Sequence, residues 1–217
     1  TANKGTMHLF HAAANAQIPR VIYTSSTAAV GTEPKGQLKD ESNWQTDTNL
    51  PYTTAKTQAE HLAWELAAQL ELDVRIINPT AVLGGGFVRP TPSVDFFQDA
   101  LKGVFPVAPK FPMSVVHFRD VARAHRRAFE VDEAEGRFIL APHTNLTLST
   151  ICRKIRELYP DSKSPKLALP NVLLPLAVFQ DWVGGLFGKQ RYLTRAVVKS
   201  LGKGDTNYSS EKAERVL

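Results

Sequence analysis

The 217-residue chain has a single cysteine, Cys152. An internal disulfide is excluded, and no Cys/His cluster stands at metal-ligand spacing, so no metal site is expected. Cys152 falls on the apolar face of a helical pattern and reads as a core thiol. Long apolar runs are also missing. The most hydrophobic segment, residues 170–187, is interrupted by proline and falls short of the roughly 20 residues a bilayer-crossing helix needs. It reads as a helix of a substrate-binding region, with contact to a membrane surface as the alternative. A cytoplasmic protein is expected, although the absence of a visible secretory leader says little here. The chain opens at Thr1 inside an amphipathic pattern, and its natural N-terminus is expected to lie upstream. A phosphate-cradling glycine motif is lacking too. Gly84-Gly85-Gly86 has the wrong spacing, and Gly184-Gly185-Leu186-Phe187-Gly188-Lys189 is followed by Gln190 where a hydroxyl residue is needed. Excess charge is small: 26 Lys and Arg against 21 Asp and Glu give +5. The densest basic group, Arg119, Arg123, Arg126 and Arg127, lacks interleaved aromatics and reads as a solvated helix face, so nucleic acid is not an expected partner.

What the chain does have is an alternation of periods. Residues 5–16 repeat as a helix with Thr6, Leu9, Phe10, Ala13 and Ala14 on one face. Arg20-Val21-Ile22-Tyr23-Thr24 is a short β-branched run, the mark of a strand buried on both faces. It ends in Ser25-Ser26-Thr27. These hydroxyls fit either a ligand site at the carboxyl end of a parallel strand or ordinary turn chemistry. A polar loop, 31–50, follows, with a tip expected to be mobile at Lys35-Gly36. Next comes a helix with Ala55, Ala59, Leu62, Ala63, Leu66 and Leu70 inward, and then a strand, Val74-Arg75-Ile76-Ile77-Asn78. Helix, strand, helix, strand with short connections predicts a doubly wound parallel α/β sheet with right-handed crossovers. Beyond Gly86 prolines crowd. A helix is expected near 94–102 and strands at 114–118 and 138–140. Asp120 is expected to cap a helix over 121–131 and Thr147 one over 148–159, with Leu158 inward. His117 reads as a core histidine, and Trp64 and Trp182 as packing residues.

Tyr52 and Lys56 stand four residues apart at the start of the second helix. That spacing sets a phenol and an ammonium on one face, roughly 6 Å apart at Cβ. At about 4 Å and an effective dielectric of about 20, one unit charge favours a phenolate by about 4 kcal/mol, enough for acid–base work near neutral pH. The spacing alone fits a surface lysine one turn after a buried tyrosine better than a catalytic pair, and the surrounding residues must decide.

Taken together, Thr24-Ser25-Ser26 after a strand, Tyr52-x-x-x-Lys56, and Asn78-Pro79-Thr80-x-Val82-x-Gly84 resemble the extended short-chain dehydrogenase/reductase family. Gly5-Thr6, Val116-His117-Phe118-Arg119-Asp120-Val121-Ala122 and the segment from Tyr208 to Leu217 extend the resemblance over nearly the whole chain. Its tone is closest to dihydroflavonol reductase-like and hydroxysteroid dehydrogenase-like members. The resemblance implies a Rossmann-like fold whose N-terminal half is missing. Residues 1–83 would be the catalytic half of the dinucleotide-binding domain. Residues 84–217 would be mainly a smaller substrate-binding region, from which strands near 114–118 and 138–140 return to the main sheet.

It also implies roles. Tyr52 would be the general acid/base, Lys56 its electrostatic partner and a ligand of the nicotinamide ribose, and Ser26 the residue that binds the substrate oxygen. Pro79, Thr80 and Val82 would line the nicotinamide of NAD or NADP. A small-molecule substrate is expected, with a homodimer of the full-length protein through the helices at 5–16 and 53–70. The implied activity is NAD(P)-dependent oxidoreduction of a carbonyl or alcohol. A nucleotide-sugar epimerase or dehydratase and a non-catalytic dinucleotide sensor are the alternatives. Ala2 and Asn78 depart from the family's usual Asn and Arg, and the 217 residues alone are expected to be inactive.

Overall fold

The computed structural model describes residues 2–32, 34–47, 49–86, 89, 91–104, 107–110, 112–169, 173–186, 188 and 204–217. Helix α1 (Ala2–Asn15) leads into strand β1 (Arg20–Thr24), and α2 (Pro51–Gln69) leads into β2 (Asp73–Pro79). The two strands pair in parallel, Val21 beside Val74 and Tyr23 beside Ile76. Strand β6 (Gly136–Leu140) joins the other edge of β2, also parallel, with Ile77 beside Phe138. A central parallel strand must be apolar on both faces, because helices cover both. On one side Val74 and Ile76 pack with Phe10 of α1 and with Ala63, Leu66 and Ala67 of α2. On the other, Ile77 packs with Ala124 and Ala128 of α4 (Phe118–Glu130) and Ala213 of α7 (Glu211–Val216). The alanines bring helix backbones close to the strand. The one buried hydroxyl of α1, Thr6, is satisfied by Ala2 O and the Tyr23 hydroxyl at 3.2 and 3.0 Å.

Past β2 a second, mixed sheet begins. Strand β3 (Ala81–Leu83) pairs parallel with β5 (Pro112–His117), which pairs antiparallel with β7 (His143–Thr147). Helices α3 (Pro92–Lys102) and α5 (Leu148–Leu158) pack here around Phe97, Ala100, Leu148 and a fully buried Cys152. Strands β4 (Ala108–Pro109) and β8 (Ala168–Leu169) form a short parallel pair. Gly84 ends β3 at φ +153°, where a Cβ would lie 2.1 Å from the Phe118 ring. The start of α4 therefore seats directly on that strand end.

Several local expectations change. The helix after β5 begins at Phe118, and its cap is His117, whose Nδ1 accepts from Arg119 N at 3.3 Å. Asp120 lies inside the first turn instead, where a carboxylate still favours the helix dipole. His117 is exposed, as a capping side chain at a helix entry must be, and is not a core histidine. Leu9 and Leu158, expected inward, are 55% and 73% exposed, since each sits at the margin of its helix's apolar stripe. Thr147 does cap α5, accepting from Thr150 N at 3.1 Å. Among the described residues no helix is long and apolar enough to cross a membrane. Helix α6 (Leu174–Leu186) turns Leu176, Phe179 and Trp182 outward, so Trp182 packs on Phe179 in an exposed pair and not in a core. Residues 170–172, 187, 189 and 190 lie outside the described residues.

The loop tip at Lys35-Gly36 is held. Gly36 N and the Lys39 ammonium both donate to Asp205, at 2.5 and 2.6 Å. Lys39 is fully enclosed, while Asp205 keeps 11% of its side chain exposed. Backbone bonds from Lys39 N to Asn207 O and from Ser209 N to Lys39 O, 2.9 and 2.8 Å, close the clasp. Desolvation pushes the Asp205 carboxyl up. The bonds from Lys39 and from the Gly36 and Asn207 amides outweigh it and hold the carboxyl below its ordinary value of 3.8. Its stabilisation is therefore fully present above pH 3.8 and is lost as pH falls through the depressed value. Lys39→Met, which strands Asp205 beside apolar atoms, is expected to cost about 3 kcal/mol in urea unfolding. A cost under about 1 kcal/mol would show the clasp to be a surface ion pair.

Candidate active site

The carboxyl ends of β1 and β2 run on as a ladder beyond the strands. Ser25 N donates to Ile77 O at 2.8 Å and Thr27 N to Pro79 O at 3.1 Å, which holds Ser26 between two pinned neighbours. The Ser26 hydroxyl accepts from Ala28 N at 3.1 Å. Its carbonyl accepts from Ala29 N at 2.9 Å and from Asn78 Nδ2 at 3.1 Å. The turn reading of these serines and their position at a strand end thus hold together.

Helix α2 is tied to this turn through Glu60, which accepts from the Ser25 hydroxyl. Pro51 stands in its first turn, and the Thr53 and Thr54 hydroxyls fold back onto Leu50 O at 2.9 and 3.2 Å. Tyr52 is 61% exposed in that first turn. Lys56, one turn on, is half-buried, and burial lowers its ammonium pKa while the Glu60 carboxylate opposes the drop. Glu60, a further turn on, is fully buried. Tyr52, Lys56 and Glu60 thus step at four-residue intervals from solvent to core.

Glu60 is the functional neighbour that sequence reasoning missed. Its Oε2 accepts from Ser25 Oγ in a short contact and from Asn78 Nδ2 at 2.8 Å. Because Asn78 Nδ2 faces two acceptors, Glu60 Oε2 and Ser26 O, its amide orientation is forced. On the other side Arg137 of β6 forms an ion pair, Nε to Glu60 Oε1 at 2.6 Å, with both side chains at most 6% exposed. Burial lowers the guanidinium's pKa, and Glu60 opposes that. Arg137 Nη1 reaches Glu41 O and Asn43 O at 2.8 and 2.7 Å. Its guanidinium lies 4.0 Å from the Trp44 ring, which stacks on His61 at 4.0 Å. The four-residue step from Lys56 to Glu60 was a visible signal. Arg137 had none, because its partners come from distant segments.

The remaining expected residues continue from the same strand end. Pro79 closes β2. Thr80 is buried, its N and Oγ1 both donating to Leu140 O at 3.1 and 3.2 Å. The Val82 side chain packs on the core cluster of Ile77, Val116 and Phe138. Among the described residues no group of His, Cys, Asp and Glu could hold a metal ion. A cavity of about 310 Å³ lies elsewhere, against α5 and β8, lined by Arg153, Arg156 and Lys166 among others, and includes none of these residues.

The family model of the NAD dependent epimerase/dehydratase family matches residues 2–141. Cinnamoyl-CoA reductase CAD2 of Medicago truncatula is 33% identical over 76% of this chain and 53% of its own length. The chain spans about half the length of the curated relatives it matches. Among solved structures, gox2253 superposes with a TM-score of 0.78 at 27% identity, covering 99% of this chain and 65% of that one. The yeast methylglyoxal/isovaleraldehyde reductase Gre2, complexed with NADPH, shares the fold, with a TM-score of 0.68 at 21% identity over 93% of this chain and 71% of its own.

Removing one member of the buried pair should be far worse than removing both. Arg137→Met is expected to cost about 3–5 kcal/mol in chemical denaturation, and the double variant E60Q/R137M to recover most of it. Equal losses in the single and double variants would mean that the pair is not coupled.

Proposed function

Because this chain belongs to the NAD dependent epimerase/dehydratase family, we propose that it carries the catalytic groups of an NAD(P)-dependent oxidoreductase acting on a carbonyl or alcohol. NAD or NADP, when bound, supplies or accepts the hydride. Tyr52 moves the proton at the reacting oxygen, donating it to a forming alcohol or taking it from one being oxidised. The Lys56 ammonium stabilises the phenolate and offers its donors to a ribose hydroxyl. Ser26 donates to the same substrate oxygen and shares its developing charge. Pro79, Thr80 and Val82 line the nicotinamide.

The observation that carries this reading is the tie between two consecutive strand–helix units. Ser26, at the end of β1, is linked through Asn78 and Glu60 to the helix that bears Lys56 and Tyr52. The matched relatives are named as reductases, which supports hydride transfer over nucleotide-sugar epimerisation. A sensor without turnover has no use for a tyrosine and a lysine four residues apart on one helix face, and the presence of both supports an enzyme. The 217 residues contain no glycine-rich pyrophosphate motif, so the contacts they offer are to the nicotinamide and its ribose, and a small-molecule substrate completes the site. Exposed Met7 and Leu9 on α1, 38% and 55%, support pairing of two copies through α1 and α2.

In the protein that joins this chain to a dinucleotide-binding half, Tyr52→Phe is expected to lower kcat by about 10²–10⁴-fold while dinucleotide binding persists. Nicotinamide absorbance follows turnover, and fluorescence titration follows binding. Unchanged turnover would refute the assignment.

A further inference from the structure

Glu60 carries no role in the reaction as described so far, yet its surroundings are too specific for a helix residue that merely faces the core. It is a fully buried carboxylate on a face of α2 whose other buried residues are Ala59, Ala63, Leu66 and Ala67. Burying a lone carboxylate costs several kcal/mol, so the surrounding groups must hold it in one geometry. They come from three other elements: Ser25 after β1, Asn78 at the end of β2 and Arg137 on β6. Asn78 spans the gap, giving both of its amide hydrogens away, one to Glu60 and one to the Ser26 carbonyl.

The consequence is geometric. Ser26 sits in a turn, not in a strand. Its neighbour Ser25 and its own carbonyl are both fastened, directly or through Asn78, to one oxygen of Glu60. Glu60 is rigidly part of the helix that presents Lys56 and Tyr52, one and two turns away. The other oxygen lies 2.6 Å from Arg137 Nε in an ion pair, and Arg137 also holds Glu41 O and Asn43 O of the loop leading into α2. We infer that Glu60 is a positioning residue that sets the Ser26 turn against the Tyr52–Lys56 helix face, acting through Ser25 and Asn78. Arg137 serves as its orienter. This inference rests on the catalytic reading above and deepens it.

The two functions of Glu60, acceptor and charge, can be separated in the protein with its dinucleotide-binding half present. E60M/R137M removes the buried charges together with the acceptor. E60Q/R137M removes the charges but keeps an amide oxygen for Ser25 and Asn78. The expected result is that E60M/R137M melts cooperatively and binds dinucleotide within about twofold of the parent but loses kcat by about tenfold or more, the scale of a catalytic group displaced by less than an ångström. E60Q/R137M should regain most of that loss. A kcat for E60M/R137M within about twofold of the parent overturns the inference, as does an equal loss in both double variants. If E60M/R137M fails to fold, Ser25→Ala decides. It cuts one tie and leaves the ion pair whole, so a lowered kcat at unchanged dinucleotide affinity supports positioning and an unchanged kcat overturns it. Tyr52→Phe keeps the two readings apart. Full activity there removes the catalytic assignment itself, whereas an inactive Tyr52→Phe beside fully active Glu60 variants removes the positioning role alone.

Discussion

A carboxylate with no exposed surface sits at the junction of the first sheet, and the neighbouring geometry follows from the need to satisfy it. Glu60 is 0% exposed. The partners that make its burial tolerable come from Ser25, Asn78 and Arg137, which belong to segments far apart in the chain. The hydrogen bonds from Ser25 and Asn78 are directional and the Arg137 ion pair is close, so the end of β1, the end of β2, strand β6 and helix α2 can meet in few relative positions. Hydrophobic packing of Val74, Ile76 and Ile77 brings the same elements together, but apolar contact tolerates sliding. The polar junction removes that freedom where a turn must face a helix.

The loop from residue 31 to residue 50 is ordered by a related means. Few of its residues are apolar, so burial contributes little to fixing it. Two buried cations do so instead. Arg137 holds the carbonyls of Glu41 and Asn43 and lies over Trp44. Lys39 bonds to Asp205 and to Gln37 O. Both cations are shielded from solvent, so salt screens them far less than surface pairs. This loop leads to Pro51 and Tyr52 at the start of α2. The clasp also brings the C-terminal segment into the first sheet's surroundings, where Ala213 packs beside Phe138.

Much of the fold was legible in the sequence because its signals are local. The β-branched runs at 20–24 and 74–78 and the apolar repeat of α2 announce a parallel strand–helix alternation, which the structure has. The failures are equally local in cause. His117 looked like a core residue because it ends an apolar run, and only the helix turning in at Phe118 makes it a cap. Leu9 and Leu158 look inward by spacing, yet each falls at the margin of its helix's stripe. Trp182 and Phe179 share a face that points outward, because a segment that is apolar nearly all round has no single stripe to mark which side meets the core.

The sequence by itself determined which chemistry is available: a phenol and an ammonium at four-residue spacing, hydroxyls after a strand, and an Asn-Pro-Thr run after the next. These are facts of order and period, and a helix or strand turns period directly into direction. The tertiary structure alone decided that Ser25, Asn78 and Arg137 converge on Glu60, and that Lys39 meets Asp205. Those contacts join residues far apart along the chain. Their identities are ordinary, and nothing about a serine, an asparagine or an arginine names its partner until packing has excluded water and brought the distant segments together.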